Sequence, residues 1–337
     1  MASRPKIAVI LVAHGEAETT RFSENYQVMS LTLLHAAQIM PLPLPVQKAI
    51  AVSASIKKVL TTFSDPQRSP QNRITREQAA LLQRHLDQSP AREQFDFEVH
   101  AAFLASLPYA ERVIDATRHC DAQVIVSMAP VDTTLSCGRL CSGLNATLQS
   151  SELAKVRVLS QFWDDERLHA LYCDHLFQSA APLPLSAPAG RRILVLLFHG
   201  TLVADVKGNP PLFRTGREAS ISFARRFAKA VLSDPRNRYS AVMPAYLNHD
   251  FGGRWTTPSF EELCQSLKDE HNASVDIFGC GFFSDGNETI RRADELKQST
   301  PVGEASIISC VNSSPLFASY LAGRVSDAAR QIIALNG

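Results

Sequence analysis

The sequence has no long hydrophobic run and no excess of charge of either sign. The apolar stretch Ile7–Ala13 is too short to span a bilayer as a helix and lacks a small-residue cleavage pattern. No other apolar stretch reaches the length that a membrane span needs. Lys and Arg number 34 against 33 Asp and Glu, so the net charge of +1 provides no strong field for nucleic acid or acidic lipid. We therefore expect a soluble, cytoplasmic protein with no integral membrane segment and no nucleic-acid partner.

Cysteine is scarce and scattered. The seven cysteines lie between Cys120 and Cys310, and an odd, dispersed set in a chain of 337 residues is not typical of a disulfide framework. The one close pair, Cys137 and Cys141, has C-x3-C spacing and no second pair nearby. Buried thiols explain these residues better than a metal or iron–sulfur role does.

Several catalytic motifs are also absent. The chain contains neither G-x-G-x-x-G nor G-x-x-x-x-G-K-[ST], which argues against a phosphate-binding glycine loop. It has no H-E-x-x-H helix and no close cysteine quartet, so zinc-dependent hydrolysis is not indicated. The nucleophile elbow G-x-S-x-G is missing as well, which argues against an α/β-hydrolase.

What is present is an apolar content of 45%, enough for one large core or two smaller ones. The segment 179–190, SAAPLPLSAPAG, is uncharged and rich in Pro, Ala and Ser, as a crossover between lobes would be. We predict an N-terminal α/β lobe over residues 1–178, the crossover at 179–190, and a C-terminal α/β lobe over residues 191–337.

Both predicted lobes open in the same way. Each begins with a β-branched and Leu-rich run, typical of a strand covered on both faces in a parallel sheet. The first run ends in His14-Gly15 and the second in His199-Gly200, weak evidence for an internal duplication. Ligands bind outside the carboxyl ends of parallel strands, so we expect both histidines at the mouth of a sheet.

Strand and helix patterns alternate between these markers, which predicts parallel α/β lobes. The predicted strands are 97–103, 123–129, 239–246 and 275–283. The predicted helices are 74–86, which has a Thr-x-x-Gln capping-box start, 109–120, 217–232, 259–270, 288–297 and 314–336.

Two segments of the second lobe hold residues suited to chemistry. Phe198–Thr201 carries His199, and Gly279–Glu288 runs from a strand through a turn into a helix. Both candidates have a structural alternative. Asp285 could cap the helix with Glu288 completing a capping box, and His199 could be a hydrogen-bonded histidine at a strand end.

Read in order, short segments of the chain resemble the ferrochelatase family over nearly its whole length. Each segment is unspecific alone, and their shared order and spacing carry the resemblance. The matching segments are Ser69-Pro70 with Ile74-Thr75-x-x-Gln78-Ala79, Met128-Ala129-Pro130 with Thr134-x-Ser136, Phe198-His199, Gly208-Asn209-Pro210, Trp255-Thr-Thr-Pro258 and Gly281-Phe-Phe-Ser-Asp-Gly-Asn-Glu288.

The resemblance implies two similar Rossmann-like lobes with parallel four-stranded sheets flanked by helices and an active cleft between them. It implies insertion of ferrous iron, as a substrate, into protoporphyrin IX or coproporphyrin III, in a monomer or homodimer. His199 would act as base and metal ligand, and Glu288 as metal and proton partner. The implied substrate-binding residues are His14, Ser69, Pro130, Thr134, Ser136 and Trp255, and Arg21, Arg68 and Arg139 would either meet propionates or be solvated.

Departures from the family pattern leave alternatives open. His14 stands where the family usually has a hydrophobic residue or tyrosine, which suggests a further metal ligand opposite His199, as in cobalt- and sirohydrochlorin-type chelatases. Gly286 replaces the family's histidine, and Arg291 and Arg292 interrupt its acidic ladder. A cobalt or sirohydrochlorin chelatase and a non-catalytic tetrapyrrole- or haem-binding paralogue therefore remain alternatives. The C-terminus lacks closely spaced cysteines, so no iron–sulfur cluster is expected.

Overall fold

The computed structural model describes residues 3–37, 42–61, 69–180, 192–249, 252–267, 274–292 and 304–336. Contacts divide the chain into two compact units. The first unit consists of Met1–Met128, Thr134–Ser160 and Ser313–Gly337, and the second of Ala129–Thr133 and Gln161–Asn312. Nearly all of the predicted crossover, from residue 181 onward, lies outside the described residues.

Ten strands are described. They are β1 (Lys6–Ala13), β2 (Asp96–Phe103), β3 (Ala122–Ser127), β4 (Val156–Leu159), β5 (Arg192–His199), β6 (Leu202–Ala204), β7 (Ala241–Leu247), β8 (Arg254–Trp255), β9 (Ser274–Phe278) and β10 (Glu304–Ile308).

The described part of the chain also contains ten α-helices. They are α1 (Phe22–Ala36), α2 (Leu44–Thr61), α3 (Gln71–Gln88), α4 (Ala110–Ala116), α5 (Arg139–Thr147), α6 (Ser150–Leu153), α7 (Glu166–Ser179), α8 (Arg217–Ser233), α9 (Phe260–Ser266) and α10 (Pro315–Asn336). Thr134–Gly138 and Asn287–Arg292 are π-helical, and Pro90–Glu93 and Phe162–Asp164 form 3₁₀ turns.

Each unit is organised around a parallel sheet of four strands. The first sheet has the order β2-β1-β3-β4 and the second the order β10-β9-β5-β7. The inner strands are almost wholly buried, as their continuous apolar sequences predict. The α/β fold with two four-stranded parallel sheets is therefore confirmed.

The two sheets share one topology. Numbered by their appearance along the chain, the strands of both sheets have the order 2-1-3-4. In such a sheet the chain reverses its direction of winding between the first and third strands, and ligands bind in the crevice beside that point. The switch points are β1 with β3 and β5 with β9, so His14 and His199 both lie at carboxyl ends beside a switch point.

The core of the second unit packs on both faces of its sheet. On one face, α9 and the sheet bury an aliphatic cluster that includes Val195, Leu247 and Ile277. On the other, aromatic rings from α7 and α8 pack edge-on or tilted against Phe198 and Phe278. Each fully buried side chain of this size contributes about 1.5–3 kcal/mol relative to exposure. This packing holds the carboxyl end of β5 in a rigid frame.

Most predicted elements match observed ones within a few residues, and two differ in an informative way. The helix predicted to start with a capping box at Thr75 begins at Gln71, and the Thr75 hydroxyl donates to the Gln71 carbonyl within the helix. The strand predicted to reach Phe283 ends at Phe278, because Cys280 N–H donates back to the Phe278 carbonyl and the chain turns. Residues 268–270 and 293–297 of two predicted helices lie outside the described residues.

The last helix does not follow the predicted division of the chain into lobes. Helix α10 belongs to the first unit, where it packs on α3, β3 and β4. The Ser313 hydroxyl donates to Glu77, and the Asn336 amide donates to the Ala154 carbonyl. The apolar face that carries Phe317 and Leu321 is buried in this way. The compact units are thus interleaved along the chain, whereas the predicted lobes are contiguous.

None of the helices in the described part of the chain has both the length and the apolar character needed to cross a membrane.

Candidate metal-binding site

His199 is the last residue of β5, and its side chain is half exposed. Its Nδ1 lies 2.6 Å from the Gly200 carbonyl oxygen. A carbonyl oxygen only accepts hydrogen bonds, so Nδ1 carries the proton in the neutral ring. The lone pair is then on Nε2, the nitrogen that can bind a metal or take up a proton.

His249 follows the neighbouring strand β7, and its Nε2 is 3.2 Å from Nε2 of His199. Gly200 makes this approach possible. A Cβ there would lie 2.1 Å from Asn248 Oδ1 and 2.7 Å from the Leu247 carbonyl oxygen, while Gly200 N–H donates to that same carbonyl. Only glycine lets the two strand ends come this close.

Glu288 approaches from the other side of β5, in the turn after β9. It lies in the π-helical segment Asn287–Arg292 and is partly buried. Gly281 N–H donates to the Leu197 carbonyl, and a Cβ on Gly281 would lie 3.0 Å from Phe198 Cα. A glycine is thus needed for the turn that brings Glu288 past the end of β5.

The three side chains form one group of potential ligands. Glu288 Oε2 is 3.8 Å from His199 Nε2, and Glu288 Oε1 is 3.9 Å from His249 Nε2. One ligand atom from each residue lies within 4.8 Å of the others. With metal–ligand bonds of about 2.1 Å, two ligands of one ion lie about 3 to 4.2 Å apart, depending on their angle. The observed spacing would therefore allow the three side chains to bind one ion.

The Glu288 carboxylate is also short of hydrogen-bond donors. Within the described residues, Oε2 is buried and has no hydrogen-bond partner. Leaving a buried carboxylate oxygen unsatisfied costs about 1–3 kcal/mol or more. A metal ion or a protonated imidazole facing Oε2 would remove this cost.

The capping-box alternative for Glu288 does not match the contacts. Asp285 N–H donates to Asn312 Oδ1, so it is not held by the Glu288 side chain. The Asp285 carboxylate instead accepts from Thr289 Oγ1, Cys310 N–H and the Asn312 amide. Asp285 therefore ties the Glu288 turn to the segment after β10, and Glu288 is left facing the histidines.

Two buried thiols support the same turn. Cys280 and Cys310 are almost fully buried, and burial raises the pKa of both thiols well above the ordinary value. The Asp285 carboxylate next to Cys310 raises the pKa of that thiol further. Both sulfurs therefore stay protonated, and they donate to the carbonyls of Leu197 and Gly279.

Trp255 borders the group. Its ring contacts His249 edge to face, with ring centroids 5.6 Å apart. Strand β8, which carries Trp255, pairs with β6 just after His199. The structure thus brings together three predicted or candidate residues of the second unit, His199, Glu288 and Trp255, around His249.

The predicted site residues of the first unit are held in a different network. His14 is exposed at the end of β1, with Nε2 3.2 Å from Thr32 Oγ1. Gly15 N–H donates to Gln71 Oε1, and Gln71 N–H donates to Ser69 Oγ. The predicted neighbours His14 and Ser69 are therefore linked through the first residue of α3.

The remaining predicted residues lie in the segment after β3. Thr134 and Ser136 belong to the π-helical turn Thr134–Gly138, which leads into α5. Pro130 is buried and belongs to the second unit, where its carbonyl accepts from Trp163 N–H. Arg68 lies outside the described residues. Substrate contacts of the predicted residues remain predictions.

Sequence reasoning missed His249. No motif marks Leu247-Asn248-His249, but a signal was available. The sequence predicts a strand ending at Tyr246, and His249 lies just beyond its carboxyl end, as His199 lies at the carboxyl end of β5. The expectation that polar residues gather at the carboxyl ends of parallel strands would have found it.

The fold and this group of atoms define an α/β protein with a cluster of potential metal ligands at a topological switch point. A family model described as Ferrochelatase matches residues 6–329. The chain belongs to the ferrochelatase family. This membership supports the activity of a metal chelatase, a lyase-type enzyme that places a metal ion in a tetrapyrrole.

One solved structure with a TM-score above 0.5 supports the fold. SirB from Bacillus subtilis with Fe3+ has 13% sequence identity and a TM-score of 0.52, and the alignment covers 96% of each chain. The sirohydrochlorin chelatase SirB from Bacillus subtilis subspecies spizizenii in complex with cobalt has 12% identity and a TM-score of 0.47, with 96% of each chain covered. No curated protein matches the chain in sequence.

Proposed function

We propose that the protein inserts ferrous iron into a porphyrin, protoporphyrin IX or coproporphyrin III, with His199, His249 and Glu288 handling the ion and the released protons. The observation that carries the proposal is the group of two imidazole nitrogens and one carboxylate at the end of β5, within 4.8 Å of one another. The ring contacts are assigned to His14, Ser69, Pro130, Thr134, Ser136 and Trp255.

The ligand set suits ferrous iron. Two histidines and one carboxylate with open positions are the ligands that ferrous iron takes in many non-haem iron proteins. The carboxylate of Glu288 neutralises part of the charge, and open positions leave room for the incoming ring nitrogens. An ion held by only three protein ligands is also easier to pass on than one in a closed site.

The same residues can collect the protons. Insertion of a divalent ion into a free-base ring releases two pyrrole N–H protons. An imidazole nitrogen that holds the ion has no lone pair for a proton, so the two functions occur in sequence. As the ion leaves for the ring, the Nε2 atoms of His199 and His249 become available, and each can take one proton. Glu288 stabilises the resulting cations.

A second candidate keeps the chemistry and changes the substrates to cobalt and a more polar, sirohydrochlorin-like ring. The observation in its favour is the second imidazole at the site, because nitrogen ligands hold cobalt more tightly than ferrous iron. The likeness to SirB, a structure determined with Fe3+, is compatible with either candidate.

The experiment is anaerobic incubation of the full chain with one metal and one ring at a time. Ferrous iron is offered with protoporphyrin IX and coproporphyrin III, and cobalt with sirohydrochlorin, while the visible bands report free and metallated rings. We expect metallation of a porphyrin by ferrous iron, and its loss in His199→Ala and Glu288→Ala.

Each other outcome has a defined meaning. Turnover confined to cobalt and sirohydrochlorin would replace the first candidate with the second. A porphyrin that binds without being metallated would contradict both candidates and indicate a tetrapyrrole-binding paralogue. Metallation at the wild-type rate in His199→Ala would separate the activity from the ligand group.

A further inference from the structure

A second group of metal-ligand atoms lies in the first unit, away from the end of β1 that carries His14. Glu98 is in β2, and His119 and Cys120 lie between α4 and β3. One ligand atom from each lies within 4.8 Å of the others. Lys6 opens β1 beside them, so the group sits near the amino ends of three adjacent strands.

The His119 ring is already oriented for a metal. Its Nδ1 is 3.0 Å from the Ala116 carbonyl oxygen, which only accepts hydrogen bonds. The proton is therefore on Nδ1, and the Nε2 lone pair lies 3.8 Å from the Cys120 sulfur. Histidines that bind metals usually donate their other N–H to a carbonyl or carboxylate in this way.

The other two ligands differ in exposure. Cys120 is 3% exposed, whereas His119 is exposed, so an ion could enter from the histidine side while the sulfur stays shielded. Glu98 Oε2 is 2.5 Å from Lys6 Nζ, and Oε1 is 2.7 Å from His100 Nε2. A carboxylate has about four lone-pair positions, so these contacts leave room for one metal bond.

We propose that Glu98, His119 and Cys120 form a second metal site, which takes zinc. Three protein ligands of sulfur, nitrogen and oxygen type, with water as the fourth, form a tetrahedral zinc site. On binding, a zinc–sulfur bond forms and the Cys120 thiol proton is released to solvent. The thiolate and the carboxylate together balance the two positive charges of the ion.

Zinc is favoured here over the iron of the proposed reaction. Thiolate is a soft ligand, and nitrogen, oxygen and sulfur sites bind zinc more tightly than ferrous iron. The site would therefore not compete for the substrate ion. A metal here would join β2 to the turn before β3. Because Glu98 meets His119 and Cys120 only in the folded chain, the ion would bind the folded chain more tightly and stabilise the first unit.

Cobalt is the probe, because cobalt bound to thiolate absorbs by charge transfer from sulfur. The His199, His249 and Glu288 group contains no sulfur and gives no such band. The full chain, freed of metal with a chelator, is titrated with cobalt. We expect a charge-transfer band that rises to saturation as cobalt is added and is removed by an excess of zinc.

Variants assign the band to the site. Cys120→Ser should abolish it, whereas Cys141→Ser, at an exposed cysteine outside the group, should leave it unchanged. His119→Gln keeps the sulfur and alters an exposed side chain, so the variant remains folded, and it should weaken cobalt binding about tenfold or more. Absence of the band in the wild type, its persistence in Cys120→Ser, or unchanged affinity in His119→Gln would each overturn the proposal.

Discussion

A His-Gly dipeptide lies at the carboxyl end of each inner strand β1 and β5, in two sheets with the same strand order. The two histidines nevertheless have different neighbours. Nε2 of His14 lies next to the Thr32 hydroxyl on α1, whereas Nε2 of His199 lies next to another imidazole and faces a carboxylate. His14 thus lies next to a hydroxyl group, and His199 lies next to two potential metal ligands.

The two glycines differ as well. Gly15 has a φ of +87°, and a Cβ there would lie 2.4 Å from the Ser106 hydroxyl oxygen, so the turn folds back on its own unit. Gly200 is needed for close approach to the end of β7, which brings in His249. The same dipeptide thus becomes part of a group of potential ligands in the second unit, where the adjacent strands are followed by His249 and Glu288.

The largest effect expected from this comparison is on catalysis. His199→Ala should lower the metallation rate about a thousandfold, because it removes a metal ligand and a proton acceptor. His14→Ala is the matched control and should lower the rate less than about tenfold, through ring contacts alone. Steady-state rates with saturating metal measure both. Equal losses in the two variants would mean that the two strand ends are functionally equivalent.

His249 sharpens the comparison, since the first unit offers no predicted counterpart to it. His249→Ala should weaken metal binding by about 10 to 100-fold, because one of three ligands is lost while His199 and Glu288 remain. Competition with a chromophoric chelator measures the affinity. A value within about twofold of the wild type would remove His249 from the ligand group.

A buried histidine in the first unit provides a contrast in pH dependence. His35 is 3% exposed, and neither ring nitrogen has a hydrogen-bond partner in the described part of the chain. Burial, together with the charge of Arg139, lowers the pKa of His35 to about 4. The unfolded chain then binds more protons below about pH 6.5, so stability falls as the pH drops towards 4.

We expect His35 to account for about 2 kcal/mol of stability lost between pH 7 and pH 5. Urea unfolding of the wild type and His35→Leu at both pH values measures this contribution. The variant should lose less stability than the wild type over the same interval. Parallel losses in the two proteins would show that His35 titrates normally.

The smallest effect concerns Gly200. A Cβ at Gly200 would lie 2.1 Å from Asn248 Oδ1, so Gly200→Ala should cost about 1–2 kcal/mol of stability and displace His249. Gly143, in α5, has open space around it, and Gly143→Ala should stabilise the protein by less than about 1 kcal/mol. Thermal unfolding of the two variants tests whether Gly200→Ala lowers the stability of the protein and Gly143→Ala raises it.

The sequence was sufficient to predict the α/β class, both strand-end histidines and Glu288. Continuous apolar runs reveal buried parallel strands, and the family resemblance supplied the carboxylate. The sequence did not reveal the short strands β4 and β10. It also did not reveal the pairing of His199 with Leu247, on which the position of His249 depends. Register and turn geometry arise from contacts between distant segments, and no local pattern encodes them.

The lack of a local pattern also applies to α10, which lies within the predicted C-terminal lobe but belongs to the first compact unit. The periodicity of α10 predicted its existence and its bounds, but an apolar helix face does not specify which sheet will bury it. The contacts with α3 and Ala154 place it in the first unit. The predicted crossover marks a change of composition along the chain, and such a change does not determine which compact unit a later helix joins.

The most direct test of the central claim is a single-turnover metallation with Glu288→Gln. The substitution keeps the shape of the side chain and removes the charge that faces His199 and His249. We predict that the metallation rate falls about a hundredfold or more, while the porphyrin affinity, measured by fluorescence quenching, changes by less than about threefold. A wild-type rate in Glu288→Gln would contradict the assignment of the metal to this group.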